Sequence, residues 1–262
     1  VVFSALIYLN IPMFFNYDKS KLEDTICKDL NIKCLIEGKI SYSFLPSPRI
    51  KIQDLIIQDI DNKNKFHGKI DNVAIKLSFY NLSNKNKLNF TKIDLLNAKI
   101  NFDLHELKEY KNFFKNKFNS KPINLKKGKI KFFDGKKDVA TIKDVNFKYK
   151  TKKNTDTVML KGNFLNDDIY INLKNKKNED DPSKIFILKF LDTNTKVNIF
   201  NFDLGKNIAS GNVSFKKGKN RLTSIFDYKD DQIIFKQANL RNVFLDGKFN
   251  GDVKFFPYFN FN

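Results

Sequence analysis

At 262 residues and 30.7 kDa, the chain fits one large domain or two ordinary ones. Charged residues at 29% are too many for a multi-span membrane protein, and 28 Phe with no Trp point to a folded body rich in apolar strand faces. The net charge of +19 attracts anions, but the lysines are spread along the chain without an RNP1-like, zinc-finger or helix-turn-helix pattern, which favours an anionic phospholipid surface over nucleic acid.

The opening run Val1 to Phe15 carries no charge. Val1, Val2, Phe3, Leu6, Ile7, Leu9, Ile11, Phe14 and Phe15 make it the expected carboxyl-terminal part of a transmembrane anchor. Fifteen helical residues reach roughly 22 Å of a roughly 30 Å hydrocarbon core, and a short buried element is the alternative. The polarity then changes. Ser20 and Glu23 have capping-box spacing, and Leu22, Ile26 and Leu30 predict an amphipathic helix over 18–31. A second helix is predicted over 104–118 from Asp103, Glu106 and the stripe Leu107, Tyr110, Phe114 and Phe118.

Nearly everything else alternates apolar with polar, as strands with one buried face do. Ile40, Tyr42 and Phe44 share one such face, and Ile50 and Ile52 another, before a parity shift at Gln53-Asp54 predicts a β-bulge. Val73, Ile75 and Leu77 continue the pattern, followed by Ile100 and Phe102, Ile130 and Phe132, and Phe147. A beat of thirty residues runs through it: Gly38-Lys39-Ile40, Gly68-Lys69-Ile70, Ala98-Lys99-Ile100 and Gly128-Lys129-Ile130. Turn signals lie at 61–64, Asp134-Gly135, Asn166 to Asp168 and Asp246-Gly247. The polar run Lys174 to Ser183 marks a long loop or a subdomain joint.

The expected fold is therefore mainly β with a few helices: an elongated, twisted antiparallel sheet of stacked hairpins, curled into a groove and preceded by the membrane helix. The expected segments are 1–15 for the anchor, 16–175 for the first β region and 176–262 for continuing repeats. Lys and Asn on the outward positions argue against an outer-membrane barrel.

Motifs that carry chemistry are missing. No Walker A sequence, GxSxG elbow, HExxH or dinucleotide fingerprint occurs, so no enzyme, catalytic residue, cofactor or metal is expected. Cys27 and Cys34, seven apart, form either one disulfide or two semi-buried thiols. His67 and His105 read as surface residues, and Asp167-Asp168, Asp180-Asp181 and Asp230-Asp231 as turn formers.

The apolar run ending Pro-Met-Phe-Phe, the helix KSKLEDTICKDLNI, the strand Gly38 to Phe44, the corner Pro46-Ser47-Pro48 and the strand Arg49 to Ile57 together resemble the amino-terminal region of the AsmA family of bacterial envelope proteins. The segments LKKGKIKFFD (125–134) and TIKDVNFKY (141–149) are similar to that family's repeated hairpins. The resemblance covers the first 150 residues or so, and Leu30-Asn31-Ile32 and Cys34 depart from it. It implies a protein anchored in the inner membrane with its body in the periplasm. It also implies a part in phospholipid transport or outer-membrane assembly, alongside other envelope assembly proteins, through a β groove related to that of bridge-like lipid-transfer proteins. An envelope scaffold with a closed β core is the alternative, and a basic nucleic-acid-binding β protein a lesser one. Period-two alternation reads the same for a lipid-facing surface and for a core.

Overall fold

In a computed structural model of the chain, the described residues are 2–27, 33–58, 66–106, 121–177, 182–205, 208–229, 232–254 and 260–261. The chain divides into two compact units, 1–150 and 151–262. The division therefore falls well before the polar run at 174–183. Antiparallel pairing of the strands on either side, from Ser183 against Lys176 to Phe190 against Ile169, makes that run the connection of a hairpin.

In the first unit, α1 (Val2–Asn10) and a single 3-10 turn (Ile11–Phe14) precede α2 (Lys19–Cys27). With nine residues, α1 is far short of a span, and no helix among the described residues is long and apolar enough to cross a membrane. The expected single-pass anchor is thus not supported, and Val1 lies outside the described residues. Pro12 breaks the regular helix, because it has no amide proton to donate. Asp18, not Ser20, caps α2: its carboxylate accepts from the Ser20 amide at 3.0 Å. Glu23 instead turns away from the helix end and accepts from the Ile36 amide at 2.7 Å, tying α2 to the strand beside it. Cys27 and Cys34, both buried, form a disulfide with Cα atoms 6.0 Å apart, which joins the end of α2 to that same strand. Residues 28–31 of the predicted helix lie outside the described ones. So do 107–118 of the second helix, of which only the short 3-10 turn Leu104–Glu106 is described.

Seven strands follow: β1 (Lys33–Ile36), β2 (Ile40–Ser43), β3 (Arg49–Gln58), β4 (Phe66–Leu77), β5 (Phe90–Asp103), β6 (Ile123–Asp134) and β7 (Lys137–Lys152). They run β1-β3-β4-β5-β6-β7 in the sheet, with β2 also paired to β3. All neighbours are antiparallel except β5 and β6, which are parallel. The expectation of hairpins throughout fails there, because β5 and β6 are joined not by a tight turn but by 104–122, long enough for the crossover a parallel pair demands.

The beat of thirty has two structural meanings. Gly38 precedes β2, whereas Gly68, Ala98 and Gly128 lie inside strands. Across the parallel pair the sequence spacing becomes the register itself: Lys99 faces Lys129, Ile100 faces Ile130 and Phe102 faces Phe132. The two Phe rings stack with centroids 5.9 Å apart.

The parity shift at Gln53-Asp54 is real, but β3 inserts no extra residue against β4 there. Gln53 pairs with Asn72 and Leu55 with Ile70, so both strands step together. Two residues likewise turn away from the buried face at Leu96-Asn97, Lys126-Lys127 and Lys143-Asp144, and between β6 and β7 the register shifts at the last two, with Leu125 opposite Phe147, Gly128 opposite Val145 and Ile130 opposite Ile142. Left-handed φ at Asp54, Asn97, Lys127 and Asp144 makes the step. Gly128 follows it where a Cβ would sit 2.8 Å from Leu125 Cδ2.

The second unit is described as strands alone: β8 (Thr155–Phe164), β9 (Asp167–Lys176), β10 (Ser183–Phe190), β11 (Thr195–Gly205), β12 (Ile208–Lys217), β13 (Asn220–Lys229), β14 (Gln232–Arg241), β15 (Asp246–Lys254) and β16 (Asn260–Phe261). They form an antiparallel meander in chain order. Asp246-Gly247 belongs to β15, and the turn before it is Asn242–Leu245. The expected turn at 61–64 lies outside the described residues.

Candidate functional site

The apolar face predicted from the sequence is a closed core at one side of the first unit. Tyr42, Ile50, Ile52, Val73, Ile75 and Leu77 are buried. Cross-strand pairing puts them together, Ile50 beside Tyr42 and Ile75, and Ile52 beside Ile40 and Val73. Leu22 of α2, also buried, lines a cleft with Ile50, Leu88 and Phe90. Burial is uneven across the rest of the sheet: Ala98, Leu125, Val145 and Tyr149 are buried, whereas Ile100, Phe102, Ile130, Phe132 and Phe147 are half-buried, as are Ile40 and Phe44 near its other edge.

Tyrosines hold the stretch from Tyr8 to Pro12 against this core. The Tyr8 hydroxyl donates to the Phe79 carbonyl at 3.0 Å and accepts from the Leu82 amide at 3.1 Å. Tyr42 donates to the Leu9 carbonyl at 2.7 Å, and Tyr17 to the Pro12 carbonyl at 2.9 Å. Burial raises the pKa of both Tyr17 and Tyr42, and the neighbouring Tyr42 raises that of Tyr17 further, so both act as neutral donors. Of the predicted anchor residues, Leu9, Ile11 and Phe15 are half-buried, whereas Val2, Phe3, Leu6, Ile7 and Phe14 are exposed. The apolar side of α1 therefore faces away from the protein.

The second unit differs. In its registers Val158, Leu173, Phe186, Ile199 and Val213 stand side by side on one face. Two residues along, Leu160, Ile171, Leu188, Val197, Phe215, Leu222 and Leu240 make a second row across β8 to β14. All of these are half-buried. The strands of this unit make their main contacts with hydrogen-bonded neighbours, and no described helix or strand of the unit packs across the face. Its opposite face mixes Ile185, Ile187 and Phe200 with Lys161, Lys174, Lys189, Lys196, Asn172 and Asn198.

Sequence reasoning placed the candidate sites in the first unit. In this one alternation shows Ile171, Leu173, Val197, Ile199, Val213 and Phe215, half of the two rows, and leaves out their members in β8, β10, β13 and β14. In β10, however, the string Lys184-Ile185-Phe186-Ile187-Leu188 is apolar on both faces, so only its partners tell which side is which.

Among the described residues no group of three or more His, Cys, Asp or Glu is placed to hold a metal ion. His67 is half-buried, and His105 meets Asp134 with Nε2 to Oδ1 at 2.6 Å on the surface. Asp167 is buried as the hub of a turn, accepting from the Asp192 amide at 2.9 Å and from the Thr193 amide and hydroxyl at 3.2 and 2.7 Å. Comparison with family models, curated proteins and solved structures found no match.

Proposed function

We propose that the chain is a non-catalytic phospholipid-handling protein of AsmA type, working in the bacterial periplasm in lipid transport or outer-membrane assembly. The observation that carries this reading is the half-buried apolar face of the second unit. Seven strands spaced about 4.8 Å apart give its longer row a width of about 29 Å. One leaflet of a bilayer offers acyl chains about 15 Å deep, so the row exceeds the length of a single tail. A methylene taken from water gains about 0.8 kcal/mol, which makes such a row a favourable resting place for an acyl chain. The exposed apolar side of α1 serves as contact with the inner membrane.

The closed core around Ile50 and Ile52 favours a second reading, an envelope scaffold. Extraction of lipid from the purified chain separates the two. Phospholipid should co-purify and exchange with added fluorescent phospholipid, and replacing Leu188 and Phe215 by Glu should abolish both while leaving the circular dichroism spectrum intact. A lipid-free native chain that takes up no added phospholipid would leave the scaffold reading in its place.

A further inference from the structure

We propose that the hairpin-turn end of the second unit docks on an anionic phospholipid surface. This rests on the phospholipid reading only for the nature of the occupant. The features that carry it lie outside the apolar face described above.

In an antiparallel meander, alternate turns fall at the same end. The turns after β8, β10, β12 and β14 share one end of this unit. Three of them present large apolar side chains to solvent. Leu165 is 77% exposed, Leu191 57%, and Phe244 94%, between Val243 and Leu245. These tips are held firmly. The Asn242 side-chain oxygen accepts from the amides of Phe244 and Leu245 at 2.7 and 2.8 Å, and the Asn242 amide donates to the Leu245 carbonyl at 2.8 Å. At the neighbouring turn the Leu191 amide donates to the Asp168 carbonyl at 2.8 Å, beside the Asp167 hub. The fourth turn is Lys217-Gly218-Lys219, charged instead of apolar.

Just inside the tips, on the face opposite the apolar rows, runs a line of cations. Cross-strand pairing sets Lys189 beside Lys196, Lys196 beside Lys216, Lys216 beside Arg221 and Arg221 beside Arg241. Lys161 continues it beyond Tyr170, over whose ring the Lys189 ammonium sits at 5.8 Å. Like charges directly opposite each other in a sheet destabilise it, so five neighbouring strands accept a repulsion that an external anion would relieve.

Three carboxylates at this end are engaged elsewhere: Asp167 and Asp192 hold backbone amides, and Asp168 accepts from Asn163. Asp246 meets Arg241, the last cation of the line, at 3.6 Å. Among the described residues no carboxylate pairs with Lys161, Lys189, Lys196, Lys216 or Arg221. Apolar tips with a basic line behind them fit a bilayer whose interface takes the tips and whose anionic headgroups meet the cations. The longer apolar row lies one residue further from the tips than the cations, which brings the lipid-accepting face to the same membrane.

The test is vesicle co-sedimentation of the full chain with phosphatidylcholine alone and mixed with phosphatidylglycerol. Binding should require the anionic lipid and weaken with salt. Each cation removed near the surface should cost about fivefold in affinity, so K196Q with R221Q should bind about 25-fold more weakly, while K51Q with K150Q in the first unit changes little. Phe244→Ser should weaken binding without altering its salt dependence. Unchanged binding by K196Q/R221Q and by Phe244→Ser would overturn the proposal, as would equal loss in the control pair. Tighter binding to duplex DNA than to the mixed vesicles at equal salt would overturn it too, replacing the membrane by nucleic acid. Retained phospholipid in K196Q/R221Q separates this site from the apolar face: lost docking with lipid still bound supports it, and docking without bound lipid sinks only the function proposed above.

Discussion

Asp167 shows how one side chain sets a whole turn. Burial alone would raise its pKa, but the hydrogen bonds from Thr193 and Asp192 outweigh that and hold it below the usual carboxylate value. An unfolded Asp titrates near 3.9. A depressed folded value means that this carboxylate stabilises the fold fully above about pH 3.9 and loses that contribution as pH falls through the folded pKa. Asp167→Asn should therefore lower the melting temperature at neutral pH, and the gap between variant and parent should close on acidification. Asp227 is held low in the same direction by hydrogen bonds from Lys236 and then Ser210, and it should contribute to the same acid loss. Neither role was readable in the sequence, where Asp167-Asp168 is an ordinary turn signal. The partners Asp192 and Thr193 lie some 25 residues away and meet it only through the β9–β10 register.

At the scale of elements, the sheet depends on a few places where strands approach closely. A Cβ on Gly211 of β12 would lie 2.0 Å from the Phe200 carbonyl oxygen of β11. Backbone has to move to admit it, so Gly211→Ala should cost about 1–3 kcal/mol, read as a lower urea midpoint at unchanged slope. Period-two alternation announced most strands, and the parity step at Gln53-Asp54 was visible in it. What alternation cannot carry is partnership. The parallel pairing of β5 with β6 leaves no mark in either strand, because each reads as one apolar and one polar face whatever the direction of its neighbour. The helix α2 was legible by its stripe, yet its capping was not: Glu23 looked like half of a capping box and serves β1 instead.

Over the whole molecule, the same alternation gives two different outcomes. In the first unit Leu22 of α2 lies beside Ile50, and in the second no described helix or strand of the unit covers Leu188 and its row. Hydrogen exchange on the native chain should report the contrast. Adding a monoacyl phospholipid should slow amides in β9 to β12 and leave β3 and β4 unchanged, since their face is already closed. Sequence could not separate the two outcomes, because burial is decided by what lies above a face and not by the residues on it. The parallel pair adds a point about growth. In β5 and β6 equivalent positions thirty residues apart lie side by side, Lys on Lys, Ile on Ile, Phe on Phe, with left-handed residues Asn97 and Lys127 at the same offset. A strand so placed is its neighbour's template. Copying a thirty-residue module would widen such a sheet by one strand, about 4.8 Å, with every side chain already matched to the one beside it, so that length becomes a quantity evolution or an engineer can change in whole steps.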